Sequence, residues 1–145
     1  MSKNKNVIKG RILSFEESPF EKDFNFTSLK IDKKLIFIKD GIIDSIEPVN
    51  FINSEFQGVE VIDYGEHLIS AGFVDAHVHY PQTAIIASWG KRLIDWLNIY
   101  TFPEEIRFKS LEYASEIADR YIDLSLSNGT TTMASYCTIH PESVD

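Results

Sequence analysis

Short apolar runs separated by turn-forming residues fill the first half of the chain, whereas longer runs with helical spacing fill the second half. In the first half, apolar and polar residues alternate loosely, which is typical of strands with one buried face. Asp40 and Gly41 stand between two such runs, and Asp-Gly favours a two-residue hairpin because the turn needs positive φ. Residues 1–70 therefore predict a small antiparallel β unit with loops at 16–32 and 48–57. Its predicted strands cover residues 7–15, 34–39, 42–46 and 59–63.

The pattern changes near Gly72 to strand, helix and strand. Thr101, followed by Pro103 and Glu104, has the form of a helix N-cap and first turn, and Asn128-Gly129 is a suitable helix end. Two strands joined by a helix at this spacing predict a parallel βαβ unit over residues 71–145. The other predicted elements are strands at 73–79 and 130–136, a loop at 80–90 and a short helix at 92–100.

Composition narrows the partners that the chain can have. Fourteen basic and twenty-two acidic residues give a net charge of -8, which argues against phosphate backbones and anionic membrane surfaces. A small neutral substrate remains compatible. The single cysteine, Cys137, allows no intrachain disulfide, and we expect it to be a small buried apolar residue. The start of the chain is polar and no apolar stretch approaches a membrane span, so a cytoplasmic setting is expected.

His77 and His79 are the main candidates for chemistry. Residues i and i+2 of a strand point to the same face, so both imidazoles should project together and can ligate one metal ion. Asp75 shares that face and could orient a ligand or pack structurally. A His-x-His pair is also common as surface or core histidines, but this pair ends an apolar strand. Ligands bind at that end of the strands in parallel α/β folds.

Residues 72–79, which read Gly-Phe-Val-Asp-Ala-His-Val-His, resemble the first-strand signature of the amidohydrolase superfamily, P-G-x-[IV]-D-x-H-x-H. Ala71 and Ala76 depart from the usual Pro and Thr without removing a ligand. The segments that follow resemble the guanine deaminase branch of that superfamily in particular. These segments are Tyr80-Pro81-Gln82-Thr83, residues 86–88 with Gly90, Trp96-Leu97, residues 100–104, residues 129–132 and residues 140–143.

The resemblance implies a TIM-like (β/α)8 metal-dependent hydrolase barrel, preceded by a small β-rich domain of the composite β-sandwich type. It also implies that His77 and His79 are the first two ligands of one zinc ion per subunit. Substrate would contact His79, Tyr80, Pro81 and Gln82, and the Gln82 amide suits a purine edge because it both donates and accepts. Trp89 and Trp96 are candidates for the pocket wall, although core packing is the expected role of Trp96. His67 is expected to be structural and His140 to be a loop residue.

The implied reaction is the hydrolytic deamination of guanine to xanthine and ammonia by a zinc-activated water, as part of guanine catabolism. A catalytic zinc site generally has three protein ligands, so two histidines are too few. A complete barrel takes about 250 residues, so a chain of 145 residues holds only its beginning. The remaining ligands and the proton-shuttling acid are therefore expected beyond Asp145. We expect these 145 residues alone to be inactive.

Two alternatives stay open. The same histidine pair would serve another amidohydrolase that acts on a different heterocycle or cyclic amide. A non-catalytic interaction module or a degenerate subunit is the alternative from another class, and it would not need both histidines on one strand face. The resemblance also implies a homodimer, since members of the family often form one.

Overall fold

The computed structural model describes residues 4–21, 23 and 26–144. Its backbone contacts divide the chain into two compact units, of which the first ends at Ala71 and the second begins at Gly72. Within the described residues, no helix is long and apolar enough to cross a membrane.

The first unit is a four-stranded sheet in the order β3-β2-β1-β4. β1 and β2 pair antiparallel over eleven residues each, and β2 continues into β3 through the two-residue turn at Asp40 and Gly41. Both turn residues have positive φ, 53° and 81°, so the predicted hairpin is confirmed. The strands are β1 (Lys5–Phe15), β2 (Leu29–Lys39), β3 (Ile42–Pro48) and β4 (Val61–Ile69).

The sheet corrects two predictions for this unit. β4 pairs parallel to β1, so the unit is mixed and not purely antiparallel. β2 begins at Leu29, inside the predicted loop at 16–32, of which residues 22, 24 and 25 lie outside the described part. The sequence pattern did not predict this extension, because the polar residues Lys30 and Asp32 interrupt the apolar run. Their backbone nevertheless pairs with β1.

A cluster of buried side chains in the first unit lies on one face of the central strands. Val7, Leu35 and Phe37 are buried there together with Phe56, whose ring meets Phe37 edge-on at a centroid distance of 5.0 Å. Phe56 belongs to a 3-10 turn, Ser54–Phe56, within the predicted loop at 48–57. This loop therefore carries a core residue.

The second unit is the predicted βαβ arrangement. β5 (Phe73–His79) and β6 (Thr130–Tyr136) pair in parallel, and α3 (Leu111–Ser127) ends at Asn128 and Gly129 as predicted. Gly72 permits close approach of the strands, since a Cβ there would lie 2.0 Å from the Thr131 hydroxyl oxygen. The connection also contains 3-10 turns at Tyr80–Ile85 and Ile106–Lys109, α1 (Leu93–Trp96), a π turn at Leu97–Thr101 and α2 (Phe102–Glu105).

The predicted helix start at Thr101 is wrong. Thr101 is helical itself, lies in the π turn and is 2% exposed, with no hydrogen-bond partner for its hydroxyl within the described part of the chain. Pro103 lacks the N–H that an α-helix needs at this point, and a local π turn is one way to absorb that loss. The long helix begins instead at Ser110, whose Oγ accepts from the Tyr113 N–H at 3.3 Å.

The core of the second unit comes from the helical connection. Phe108, Ile117, Ala114 and Tyr80 are its buried members, and Phe108 is 0% exposed. Cys137 is exposed, which contradicts its predicted burial. Cys137 lies directly after the last residue of β6, so it is not part of the paired strand.

Candidate metal and substrate site

The two candidate metal ligands lie next to each other at the carboxyl end of β5. The ring centroids of His77 and His79 are 5.4 Å apart, with 57° between the ring planes. His77 is exposed and His79 is half-buried. The strand therefore brings both imidazoles to one place.

This spacing fits a shared zinc ion. Zinc bonds an imidazole nitrogen at ~2.0–2.1 Å, so two imidazoles on a tetrahedral ion have ring centres roughly 5 Å apart. Among the residues that the structure describes, no group of three or more His, Cys, Asp or Glu side chains could hold a metal ion. The pair thus matches two positions of a zinc site, and a catalytic site needs at least one more protein ligand.

Asp75 acts on the backbone of this pair. Its Oδ1 accepts a hydrogen bond from the His77 N–H at 3.1 Å. The pairing of β5 with β6 shifts register between Asp75 and Val78, so this bond spans an irregular stretch of the strand. Of the two roles predicted for Asp75, the contact favours orienting His77, and it does so through the main chain.

A cleft lies beside the two histidines, and Gln82 forms part of its wall. The cleft has a volume of about 560 Å³, and its lining includes Gln82, both histidines, Asp75 and Trp96. Gln82 belongs to the 3-10 turn that directly follows β5, so the turn places it on the same cleft as both histidines. The cleft therefore combines metal-type ligands with a group that can both donate and accept hydrogen bonds.

Tyr80 and Pro81 are the first two residues of this turn, and both are buried. The Tyr80 hydroxyl donates to the Ser143 carbonyl oxygen at 2.7 Å, and the Pro81 side chain is fully buried. Burial raises the pKa of Tyr80. Their contact with substrate stays a prediction, and within the chain the Tyr80 hydrogen bond and the burial of Pro81 anchor the turn that carries Gln82. Tyr80 also belongs to the core of this unit, where its ring meets that of Phe108 edge-on.

The two tryptophans differ. Trp96 lines the cleft, and its indole N–H donates to the Ser88 Oγ at 2.8 Å. Core packing was its expected role, but the short helix α1 turns it toward the cleft wall. Trp89 is 76% exposed.

The other two histidines lie outside this cleft. His67 is exposed on β4 in the first unit, and its structural role stays a prediction. His140 precedes a 3-10 turn at Pro141–Ser143, and its carbonyl oxygen accepts from the Ser143 Oγ at 2.7 Å.

Tyr136 is a site residue that the sequence analysis missed. Its ring centroid lies 4.8 Å from that of His77 and 4.9 Å from that of His79. The sequence did place Tyr136 at the end of the predicted strand 130–136. Its contact with the histidines could be inferred only from the register of the two strands, which pairs Tyr136 with His79.

Comparisons with known proteins place this geometry in context. The chain is 42% identical to the guanine deaminase of Escherichia coli (strain K12) over 116 residues, which is 79% of this chain and 26% of that protein. The solved guanine deaminase from Bradyrhizobium japonicum superposes with a TM-score of 0.86 at 30% identity, over 97% of this chain and 31% of that one. Another solved guanine deaminase, from C. acetobutylicum, has guanine bound in its active site. It superposes with a TM-score of 0.77 at 31% identity, over 97% of this chain and 32% of that one.

The chain thus spans about a quarter to a third of the length of these relatives. Residues 68–144 match the amidohydrolase family, and they include all of β5, the cleft and β6. That match covers more than half of the sequence and contains the adjacent histidine pair, so the chain belongs to the amidohydrolase family.

Proposed function

We propose that this chain is the amino-terminal part of a zinc-dependent guanine deaminase, which converts guanine and water to xanthine and ammonia. The observation that carries the proposal is the placement of His77, His79 and Gln82 on one cleft. Guanine in the active site of the C. acetobutylicum relative supports the substrate, since that structure aligns with 97% of this chain.

In this proposal, His77 and His79 hold the zinc ion through their ring nitrogens. When bound, zinc lowers the pKa of a coordinated water to about 7 and so supplies hydroxide at neutral pH. Asp75 fixes the backbone of His77, and this bond keeps the first ligand in place before metal arrives.

Gln82 is the proposed purine-binding residue. A purine base presents donors and acceptors along one edge, and a single amide group can satisfy one of each. Trp96 supplies an apolar wall to the same cleft, with its indole N–H already bonded to Ser88. Tyr80 and Pro81 are proposed to support substrate binding by holding the turn that carries Gln82. His79 is proposed to contact both the metal ion and the substrate.

The two parallel strands are proposed as the start of a TIM-like (β/α)8 barrel. Phe73 and Val74 are neighbours that point to opposite faces of β5, and they are 64% and 69% exposed. Parallel sheets are normally covered on both faces. Further strands and helices would cover them and bring the remaining ligands and the acid that moves the proton. Residues 1–145 alone are accordingly proposed to lack deaminase activity.

The setting follows from the same proposal. A single cysteine requires no oxidising compartment, and we place the enzyme in the cytoplasm, in guanine catabolism, with a homodimer as the assembly to test.

The proposal is tested in the full-length protein that contains this sequence, by following conversion of guanine to xanthine and by measuring bound zinc. Replacing both His77 and His79 with alanine should remove the zinc and lower kcat/KM by at least roughly a thousand-fold, because the hydroxide source is lost. Gln82→Ala should retain zinc and lower kcat/KM roughly ten- to a hundred-fold. His67→Ala is the matched control, since this histidine is exposed on β4 and should leave both measurements unchanged.

A panel of other heterocycles and cyclic amides separates the competing functions. Preference for another substrate, with zinc still dependent on the histidine pair, would retain the family and reject guanine as the substrate. Binding of a protein partner that survives loss of both histidines, without turnover of any substrate, would support an interaction module.

A further inference from the structure

The ring of Tyr136 contacts both candidate zinc ligands. Its ring is stacked on His79, with 15° between the planes, and tilted by 47° against His77. The centroid distances of 4.8 and 4.9 Å are those of aromatic rings in contact. Three rings therefore form one cluster, in which Tyr136 contacts the two imidazoles and they contact each other.

The backbone sets the position of Tyr136. In the parallel pairing of β5 and β6, Tyr136 stands directly beside His79. The pairing begins at the other end of the strands, where the Phe73 N–H donates to the Gly129 carbonyl oxygen at 2.8 Å. Tyr136 is itself 53% exposed, so the strand register, more than burial, holds its ring against the imidazoles.

Contact with a ring restricts both imidazoles, and on His79, where the rings are stacked, the contact is made by the face of the imidazole. Stacking uses the face of an imidazole, whereas metal binding uses the nitrogen atoms at its edge. An exposed side chain such as His77 would otherwise sample several rotamers, and ordering it on metal binding would cost conformational entropy. A ring already in contact removes part of that cost.

We propose that Tyr136 is a positioning residue that holds His77 and His79 in the orientation that binds zinc. This inference rests on the proposed function, since it takes the histidine pair as the metal site. The aromatic ring carries the effect, and the hydroxyl group does not. Tyr136 acts through the histidines and has no assigned contact with substrate.

The test compares Tyr136→Leu with Tyr136→Phe in the full-length protein. The leucine variant loses the ring, and its zinc dissociation constant, measured by competition with a chelator, should rise roughly ten-fold. The phenylalanine variant keeps the ring and should bind zinc as the wild type does. Tyr64→Leu is the matched control, because Tyr64 is also a strand tyrosine, is 46% exposed and lies in the first unit.

A second measurement needs neither zinc nor guanine. In the metal-free protein, the ring current of Tyr136 should shift the NMR signals of the carbon-bound imidazole protons. Those shifts should disappear in Tyr136→Leu and persist in Tyr136→Phe. A structural role alone would lower stability without giving this separation between the two variants.

The inference is overturned if the leucine variant binds zinc within two-fold of the wild type, or if the phenylalanine variant fails as the leucine variant does. A wild type that binds no zinc at the pair overturns both proposals, because the inference rests on the proposed metal site. Failure of the guanine assignment alone looks different: zinc binds through the histidines, the two variants separate as expected, and guanine is not converted.

Discussion

The two units of this chain are stabilised in different ways. In the first unit, backbone pairing among four strands carries the fold, and the buried core is centred on β1 and β2. In the second unit, only two strands pair within the described residues, and the buried side chains come mainly from the helical connection. The unit that carries the candidate chemistry thus depends on a few large side chains.

Polar contacts show the same contrast. The ion pairs of the first unit lie on the sheet surface, as between Lys33 and Glu66. In the second unit, Glu104 is only 7% exposed and accepts hydrogen bonds from Arg107, at 3.0 Å, and from the Tyr113 hydroxyl. Surface pairs contribute little, whereas unpaired buried groups are costly. Single substitutions should therefore harm the second unit more than the first.

The largest effect is expected for Phe108→Ala. Phe108 is fully buried at the centre of the second core, and a buried Phe→Ala change costs about 3–5 kcal/mol of unfolding free energy. Hydrogen exchange should show lost protection in α3, β5 and β6, while the amides of β1 and β2 stay protected. Phe102→Ala, at a residue that is 47% exposed in the same helical connection, is the control and should cost less. Equal loss of protection in both units would contradict the contrast.

A smaller effect, with a defined pH window, is expected at Tyr113. Burial, and next its hydrogen bond to Glu104, raises the pKa of Tyr113 to about 12. An unfolded tyrosine has a pKa of about 10, so between pH 10 and 12 the unfolded chain loses this proton first. The contribution is fully present below pH 10 and is lost as pH rises toward 12.

Tyr113→Phe checks this assignment. At neutral pH it should cost about 1 kcal/mol, because Glu104 loses one of its two donors. The variant should also show a weaker decrease of the urea midpoint between pH 10 and 12 than the wild type. If both proteins lose stability in parallel over that window, another group is responsible for the pH dependence.

Local signals account for the parts of the fold that the sequence predicted. Asp40-Gly41 specifies its hairpin, and Asn128-Gly129 ends α3, because each depends on the backbone preferences of the residues themselves. The parallel pairing of β4 with β1 depends on contacts between distant segments, which no local pattern encodes. Thr101 and Ser110 both have N-cap chemistry, but Thr101 is itself helical, whereas Ser110 is extended and accepts from the Tyr113 N–H, so the long helix starts at Ser110.

The candidate site divides along the same line. The adjacency of His77 and His79 follows from their spacing on one strand. The position of Gln82 near them was expected from the resemblance of residues 80–83 to the family, and Gln82 lines the same cleft. Tyr136 comes from another strand, so its contact with the histidines required the register. Tyr80 lies next to the site in sequence but is turned into the core. Residues that reach a site from one segment can be predicted, whereas those that arrive through strand pairing cannot.

The smallest effect is expected for Lys33→Ala in the first unit. The Lys33 ammonium lies 2.9 Å from a Glu66 carboxylate oxygen, and this hydrogen bond raises the pKa of Lys33 and lowers that of Glu66. The side chains are 40% and 78% exposed, so water and salt screen the attraction. The urea midpoint at neutral pH should stay within error of the wild type, and 1 M salt should erase any residual difference. A loss as large as that of Tyr113→Phe would mean that surface charges also hold the sheet together, and the contrast between the two units would fail.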